Sequence, residues 1–368
     1  MATSNRLYFF DNLRAFVIVL VVVLHASITY MTYAPAWWYV LDPNNSDLFA
    51  MLVLLIDVPL MPILFFIAGY FALPTLQKRG VRLFLKEKFI RIGIPWIFGA
   101  LFLAPLITYM IYFSRHIPMT YLQFWATDFW GKMYQQSVYW FLGILMFLFI
   151  GLGFVFSQSD RLRTSTRRAS LPSRRPFVVF VTIMALAFLA INLFFPVDNW
   201  SHIYLLVFQP VRVPLYIGYF ILGLYAERHS WFMKDGFNPE LGPWAGTCLL
   251  TGLWYLACRW TSAAPNVLLM IITAILFNVF CLSSLVAGII FFKQKVNSAG
   301  AAWKSLAANS YGIYYVHPLI LYPLAYLFVG TSLPLISKAL VLILVTILLS
   351  WAVSVLLLKR SPVVRTMF

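Results

Sequence analysis

Residues 16–30 read FVIVLVVVLHASITY, and this stretch decides the fold. Nine apolar residues precede His25, and no charged residue follows until Asp42. A run of this length crosses a ~30 Å hydrocarbon core as a helix. Similar runs recur along all 368 residues, of which 62% are hydrophobic and only 10% charged. A soluble domain holds about 45–50% apolar and about 25% charged residues. The sequence therefore describes an all-α integral membrane protein, residues 1–368 forming a single transmembrane domain with no soluble unit and no internal repeat.

Ten spans are expected, at about 13–33, 48–73, 92–113, 138–156, 177–195, 204–226, 244–260, 266–292, 309–329 and 335–357. An even number puts both termini on one side, and the distribution of lysine and arginine identifies that side as cytoplasmic. With this topology only Arg115, Lys132, Arg212, Arg259 and Lys338 fall outside the inner segments, leaving 22 of 27 basic residues inside. The net charge of +16 then reflects this bias and not nucleic-acid binding. Arg6 and Arg14 precede an apolar run too long for a signal peptide and with no small-residue cleavage site, so it reads as a retained first helix. The segment 204–226 carries Pro210, Arg212 and Pro214, which predicts an irregular or re-entrant start to that span. The arginine- and serine-rich stretch 157–176 reads as a polar linker. Cys248, Cys258 and Cys281 have no metal or redox spacing.

An ionisable side chain inside a membrane is a functional suspect, because it costs at least ~2.5–3.5 kcal/mol at a helix centre. Taking Leu13 as the inner end, His25 lies ~18 Å into the first span. Asp57, on the descending second span beside Pro59 and Pro62, lies ~24 Å above the inner end of its own span. The two can meet as a carboxylate–imidazole pair. A neutral imidazole there is able to take a hydroxyl proton and return it; the plain alternative is a histidine that only packs against a neighbouring helix. His317, about eight residues into the ninth span, carries the same two readings. At the inner rim, Arg14, Lys88 and Arg91 lie at the ends of the first and third spans. They either anchor the protein in the inner leaflet or form a phosphate-binding mouth.

Four stretches, in order, carry a resemblance to the acyltransferase 3 family of polytopic membrane enzymes. FFDNLRAFVIVLVVVLH (9–25) holds Asp11, Arg14 and, eleven residues after the arginine, His25. FFIAGYF (65–71) resembles the family's second-helix segment, with Ala68 in place of the usual serine. FLKEKFIRIGIP (84–95) resembles the basic start of the third helix, with Lys88 in place of an arginine. SYGIYYVHP (310–318) holds His317; beside these four, YWFLGIL (139–145) also resembles the family's fourth helix. Pro62 stands where the family often has an acidic residue.

The resemblance implies transfer of an acetyl or succinyl group from cytoplasmic acyl-CoA to a hydroxyl of an extracytoplasmic glycan or glycolipid, in a bacterial inner membrane. It assigns the CoA phosphates to Arg14, Lys88 and Arg91, and the catalytic chemistry to His25, as a base or as a transient acyl carrier. Asp57 would orient His25, and His317 would contact the thioester or orient the donor. On the acceptor side stand Trp130, Trp140 and Arg212, with Trp125 nearby. Acyl-CoA is thus a donor substrate, with no resident cofactor or metal, and the other partners are the glycan acceptor and membrane lipids. The wording of RIGIP and FFDNLRAF resembles most the branch that succinylates periplasmic glucans. The rival readings are a glycan or small-anion transporter, which would move solute without consuming acyl-CoA, and a scaffold whose polar residues merely join helices.

Overall fold

The computed structural model describes residues 6–164, 172–233, 236–261, 266–298, 300–361 and 364–368. Of the linker 157–176, residues 165–171, with Arg167 and Arg168, lie outside the described residues, as does Lys234. The chain opens with α1 (Tyr8–Thr29) and α2 (Asp47–Lys88). A π-helical turn (Phe89–Gly93), α3 (Ile94–Phe98), a second π-helical turn (Gly99–Leu103) and α4 (Ala104–Ser114) continue it. Then come α5 (Tyr121–Phe124), α6 (Trp140–Gln158), α7 (Asp160–Thr164) and α8 (Arg174–Asn192). An antiparallel hairpin, β1 (Ser201–Ile203) and β2 (Leu206–Phe208), leads through a 3-10 turn into α9 (Val213–Arg228). The chain ends with α10 (Leu241–Thr261), α11 (Val267–Lys295), α12 (Ala301–Phe328) and α13 (Leu335–Val353).

Helix starts follow local chemistry. The Ser46 side chain accepts from the Leu48 N–H at 3.2 Å, and Asn266 does the same for α11. Thr120 and Gln123 form a reciprocal capping box at α5. Each satisfies donors that a helix N-terminus leaves orphaned.

The expected second and third spans follow one another without a loop. Helical residues run from 47 to 114 as two helices that meet at a kink at Gly80, because the stretch between 73 and 92 is rich in good helix formers. Only Gly80 leaves helical geometry, at φ 72° and ψ 164°, where a residue without Cβ bears no steric cost. The span expected at 204–226 also differs. Its first part is the hairpin, and helix starts only at Val213, with Pro214 in the first turn, where a missing N–H removes no bond. At 16 residues, α9 is ~24 Å long, less than the hydrocarbon thickness. Six stretches of the described residues are long and apolar enough to cross a membrane: 8–29, 47–114, 137–158, 174–192, 267–295 and 335–358. The expected spans at 244–260 and 309–329 lie in α10 and α12, which are not among these six.

The core forms around α1, which packs against α2, α11, α12 and α13. Within its apolar stretch 61% of residues are buried, against 17% in α8 and 22% in the last span. Those two present Leu, Val and Ile outward, as a lipid-facing perimeter requires. α2 and α9 touch backbone to backbone. A Cβ at Gly69 would overlap the Phe220 carbonyl oxygen, and one at Gly223 the Phe66 carbonyl oxygen. Small residues permit this approach between membrane helices.

One end of the bundle gathers the start of α1 and the last residue, Phe368. The Phe9 N–H donates to Asn297 Oδ1 at 3.2 Å, and Asn12 Nδ2 donates to the Val296 carbonyl at 2.6 Å. Phe368 packs on Tyr311 and Tyr315 of α12 at 4.9 and 5.0 Å. The 30–46 loop, the 115–136 segment and the hairpin lie toward the opposite end.

Candidate active site

His25 on α1 and His317 on α12 face each other across the helix pair. His25 Nδ1 lies 3.2 Å from His317 Nε2 and 2.8 Å from the Val21 carbonyl. His317 Nδ1 lies 2.8 Å from the Tyr314 carbonyl. A carbonyl only accepts, so both Nδ1 atoms are assigned the hydrogen. His25 Nδ1–H is then shared between Val21 and the lone pair of His317 Nε2. That leaves the lone pair of His25 Nε2, which has no hydrogen-bond partner among the described residues. Trp38 lies nearly parallel to the His25 ring, 6° between planes and 5.8 Å between centroids.

His25 lines two cavities. One, of about 520 Å³, runs between α1, α2, α9 and α10; the other, of about 270 Å³, lies against residues 132–137 and the hairpin. His317 is fully buried and lines neither. The expectation that His317 contacts a thioester is therefore corrected. It stands behind His25, bonded to that ring.

Asp57 and Arg212 line the larger cavity together with Trp140. The expected pairing of Asp57 with His25 is not formed, since the carboxylate ion-pairs with Arg212 instead. The reason is burial. Arg212 is 9% exposed at the turn leading into α9, and a guanidinium withdrawn from water takes the nearest carboxylate. Asp57 keeps 35% exposure, so its carboxylate is the part of the pair that faces open space.

Of the expected aromatic residues, Trp140 lines both cavities and packs edge-on to Trp200 at 5.5 Å. Trp130 lines neither. It is 44% exposed on the 115–136 segment, stacked on Tyr134 at 6.0 Å, and is corrected to a surface position. Trp125 is similarly exposed. Trp37, Trp38 and Trp200 line both cavities, and sequence reading missed all three because they lie in connecting segments.

The segment that carries Trp130 is tied by Asp128. Hydrogen bonds from the Tyr112 hydroxyl and the Lys132 ammonium hold its carboxyl below the usual carboxylate range. A depressed pKa contributes stability that is complete above the ordinary value and is lost as pH falls through the depressed one. Limited proteolysis of residues 115–136 is expected to stay constant from neutral pH down to about 5 and to accelerate only below about 4.

At the terminal end, Arg14 is 44% exposed and its guanidinium lies 3.5 Å from Asp11 and from the Ala307 carbonyl. Arg91, exposed on the π-helical turn Phe89–Gly93, acts electrostatically on both Arg14 and Lys88. Lys88 is not aimed as expected: its ammonium sits over the Phe149 ring at 4.6 Å. Lys359, which sequence reading counted only as an inner charge, donates to the Ala308 carbonyl at 2.6 Å, next to the Arg14 contact. Tyr311 and Tyr315 donate to the Arg91 and Pro95 carbonyls at 2.8 and 2.9 Å, fixing the π-helical turn and α3 to α12. From Arg14 to His25 the rise along α1 is ~16 Å.

The class of this helical membrane bundle comes from comparison of sequences. A sequence model of the acyltransferase 3 family, described as an acyltransferase domain, matches residues 7–355, and the chain belongs to that family. It is an integral membrane protein. Among curated proteins it is similar to glucans biosynthesis protein C of Salmonella schwarzengrund (strain CVM19633) and of Salmonella typhi. Each is 23% identical over 275 residues, covering 70% of this chain and 68% of the relative. No solved structure matches.

Proposed function

We propose that this protein transfers an acetyl or succinyl group from cytoplasmic acyl-CoA to a hydroxyl of an extracytoplasmic glycan or glycolipid, in a bacterial inner membrane. In this reading the chain crosses ten times, with both termini cytoplasmic. Two observations favour that topology: the excess of basic residues in the inner segments, and the single non-helical residue, Gly80, that divides the long second helix into two arms. Arg14 and Arg91, joined by Lys359 and at a distance by Lys88, hold the CoA phosphates at the terminal end. The ~16 Å to His25 is a length that an extended thioester arm spans.

The observation that carries the reading is the hydrogen-bonded His25–His317 pair, with the free nitrogen of His25 beside a cavity of about 520 Å³. The acceptor hydroxyl gives its proton to His25 Nε2 as its oxygen bonds to the thioester carbonyl carbon. The carbon–sulfur bond then breaks, and the proton returns from His25 to the CoA sulfur. While His25 is protonated, its Nδ1–H stays bonded to the neutral His317 Nε2. A carboxylate in that place would carry the desolvation cost of a second charge. Trp140 and the open carboxylate oxygen of Asp57 orient the acceptor, one by its ring face and the other by accepting from sugar hydroxyls.

The test is CoA thiol release by purified protein in lipid nanodiscs, with acetyl-CoA and succinyl-CoA offered separately, each with and without a glucan acceptor. Asp57→Asn keeps the shape of the Arg212 pair but removes its charge. It is expected to raise the KM for the acceptor about tenfold while donor KM stays within about twofold. A change in donor KM alone would place Asp57 on the donor path.

A further inference from the structure

The 30–46 loop is held more firmly than a connection between two helices requires. Asp42 and Lys338 form an ion pair at 3.0 Å with both side chains fully buried. Asp42 Oδ1 also accepts from the Asn44 N–H at 2.9 Å, and the Asp42 N–H donates to the Thr29 carbonyl at 3.0 Å. Lys338 belongs to the first turn of α13, so the loop is fixed to a distant helix. A second clamp comes from Arg115, whose guanidinium donates to the Ala36 and Trp38 carbonyls at 2.8 and 3.0 Å. A third is the Ser114 hydroxyl, which donates to the Tyr39 carbonyl at 3.0 Å.

Burying an ion pair carries a desolvation penalty that its attraction often fails to recover, so such pairs are weak as a source of stability. What this one does is hold a position. Between the clamps lie Trp38 and Tyr39. Trp38 is 4% exposed, stacks on His25, and meets Tyr322 edge-on at 5.7 Å. Tyr39 packs on the same Tyr322 at 4.3 Å. Tyr322 lies on α12, five residues beyond His317. The loop thus presses one aromatic pair against both helices that carry the histidines.

We propose that Trp38 is a positioning residue for His25, and that the Asp42–Lys338 pair is the latch that keeps it there. The indole blocks rotation of the imidazole about its side-chain bonds. It holds Nδ1 toward Val21 and His317, which leaves Nε2 for the substrate, and its π face stabilises the ring when it takes a proton. The inference rests on the reading of His25 as the base, but its structural half is testable without any turnover.

The experiment has two arms on the intact protein in nanodiscs. In the first, histidine side chains are labelled with 15N, and the His25 signals are identified by their loss in His25→Gln. Wild type is expected to show a single tautomer with hydrogen on Nδ1. Trp38→Leu is expected to give a mixture of tautomers, and Trp38→Phe, which keeps a ring face, to restore the single form. In the second arm, Trp38→Leu is expected to lower kcat on the order of 10- to 100-fold with both KM values within about threefold. Trp38→Phe should recover most of that loss. The double variant Asp42→Asn, Lys338→Met, which leaves no unpaired charge, should lie between Trp38→Leu and wild type in both arms. A single unchanged tautomer in Trp38→Leu overturns the positioning role, whatever the kinetics. A double variant with wild-type spectra overturns the latch. If wild type consumes no acyl-CoA, the acyl-transfer reading fails, and the nitrogen spectra still decide the role of Trp38.

Discussion

His25→Ala is expected to lower acyl-CoA-dependent thiol release by about 10²- to 10⁴-fold, the usual contribution of a positioned general base. The protein should remain folded, for three local reasons. The lost side chain borders cavities on two sides, so no sealed void is created. The Val21 carbonyl that loses a donor belongs to helix α1. His317 Nε2 is left as a neutral acceptor, a smaller penalty than an unpaired charge. Alanine at position 25 should therefore affect kcat far more than thermal stability, and thiol titration beside a melting curve reads both at once. His317→Gln, which fills the buried site, is expected to cost less, about 10- to 100-fold, because the free nitrogen of His25 survives and only its partner is changed. Thiol release unaffected by His25→Ala would return His25 to a role in helix packing. Glycan binding without consumption of any donor would favour a transporter.

Gly69→Val is expected to prevent correct folding, and Gly223→Val likewise. At each position the added side chain meets backbone of the facing helix: Gly69 on α2 faces the Phe220 carbonyl of α9, and Gly223 on α9 faces the Phe66 carbonyl of α2. Backbone cannot rotate aside as a side chain can, so the helices must separate. Overpacking a tight core costs typically about 1–3 kcal/mol and sometimes more, and this case belongs at the upper end. The cost would reach function as well, since α2 carries Asp57 and the turn leading into α9 carries its partner Arg212 at the cavity wall. Gly151→Val is the control. Nothing lies within 4 Å of a Cβ there, and extraction yield and monodispersity should match wild type. If Gly69→Val yields monodisperse protein with wild-type melting, the close contact of α2 with α9 is wrong.

Much of the site was legible along the chain. His25 stood out because an imidazole in an apolar run has few reasons to be there, and His317 stood out on the same ground. The basic residues at the inner rim followed from their positions at span ends. Trp38 carried no such signal: it lies in a polar connection rich in aromatics, where an interfacial belt explains a tryptophan equally well. Lys359 was one basic residue among many. Gly69 belonged to a family segment, yet its reason for being glycine is the carbonyl of a residue 151 positions later.

Composition and periodicity alone determined that this is a helical membrane protein, because transfer from water to hydrocarbon depends on local sequence and needs no partner. Partner choice was decided only in three dimensions. Depth along a helix allowed Asp57 to meet His25, but depth does not tell which helices are neighbours. The bundle put α9 beside α2 and α12 beside α1, so the carboxylate went to the buried guanidinium of Arg212 and the imidazole to His317. A buried polar group bonds to whichever complementary group the packing delivers, and packing is a property of the whole chain.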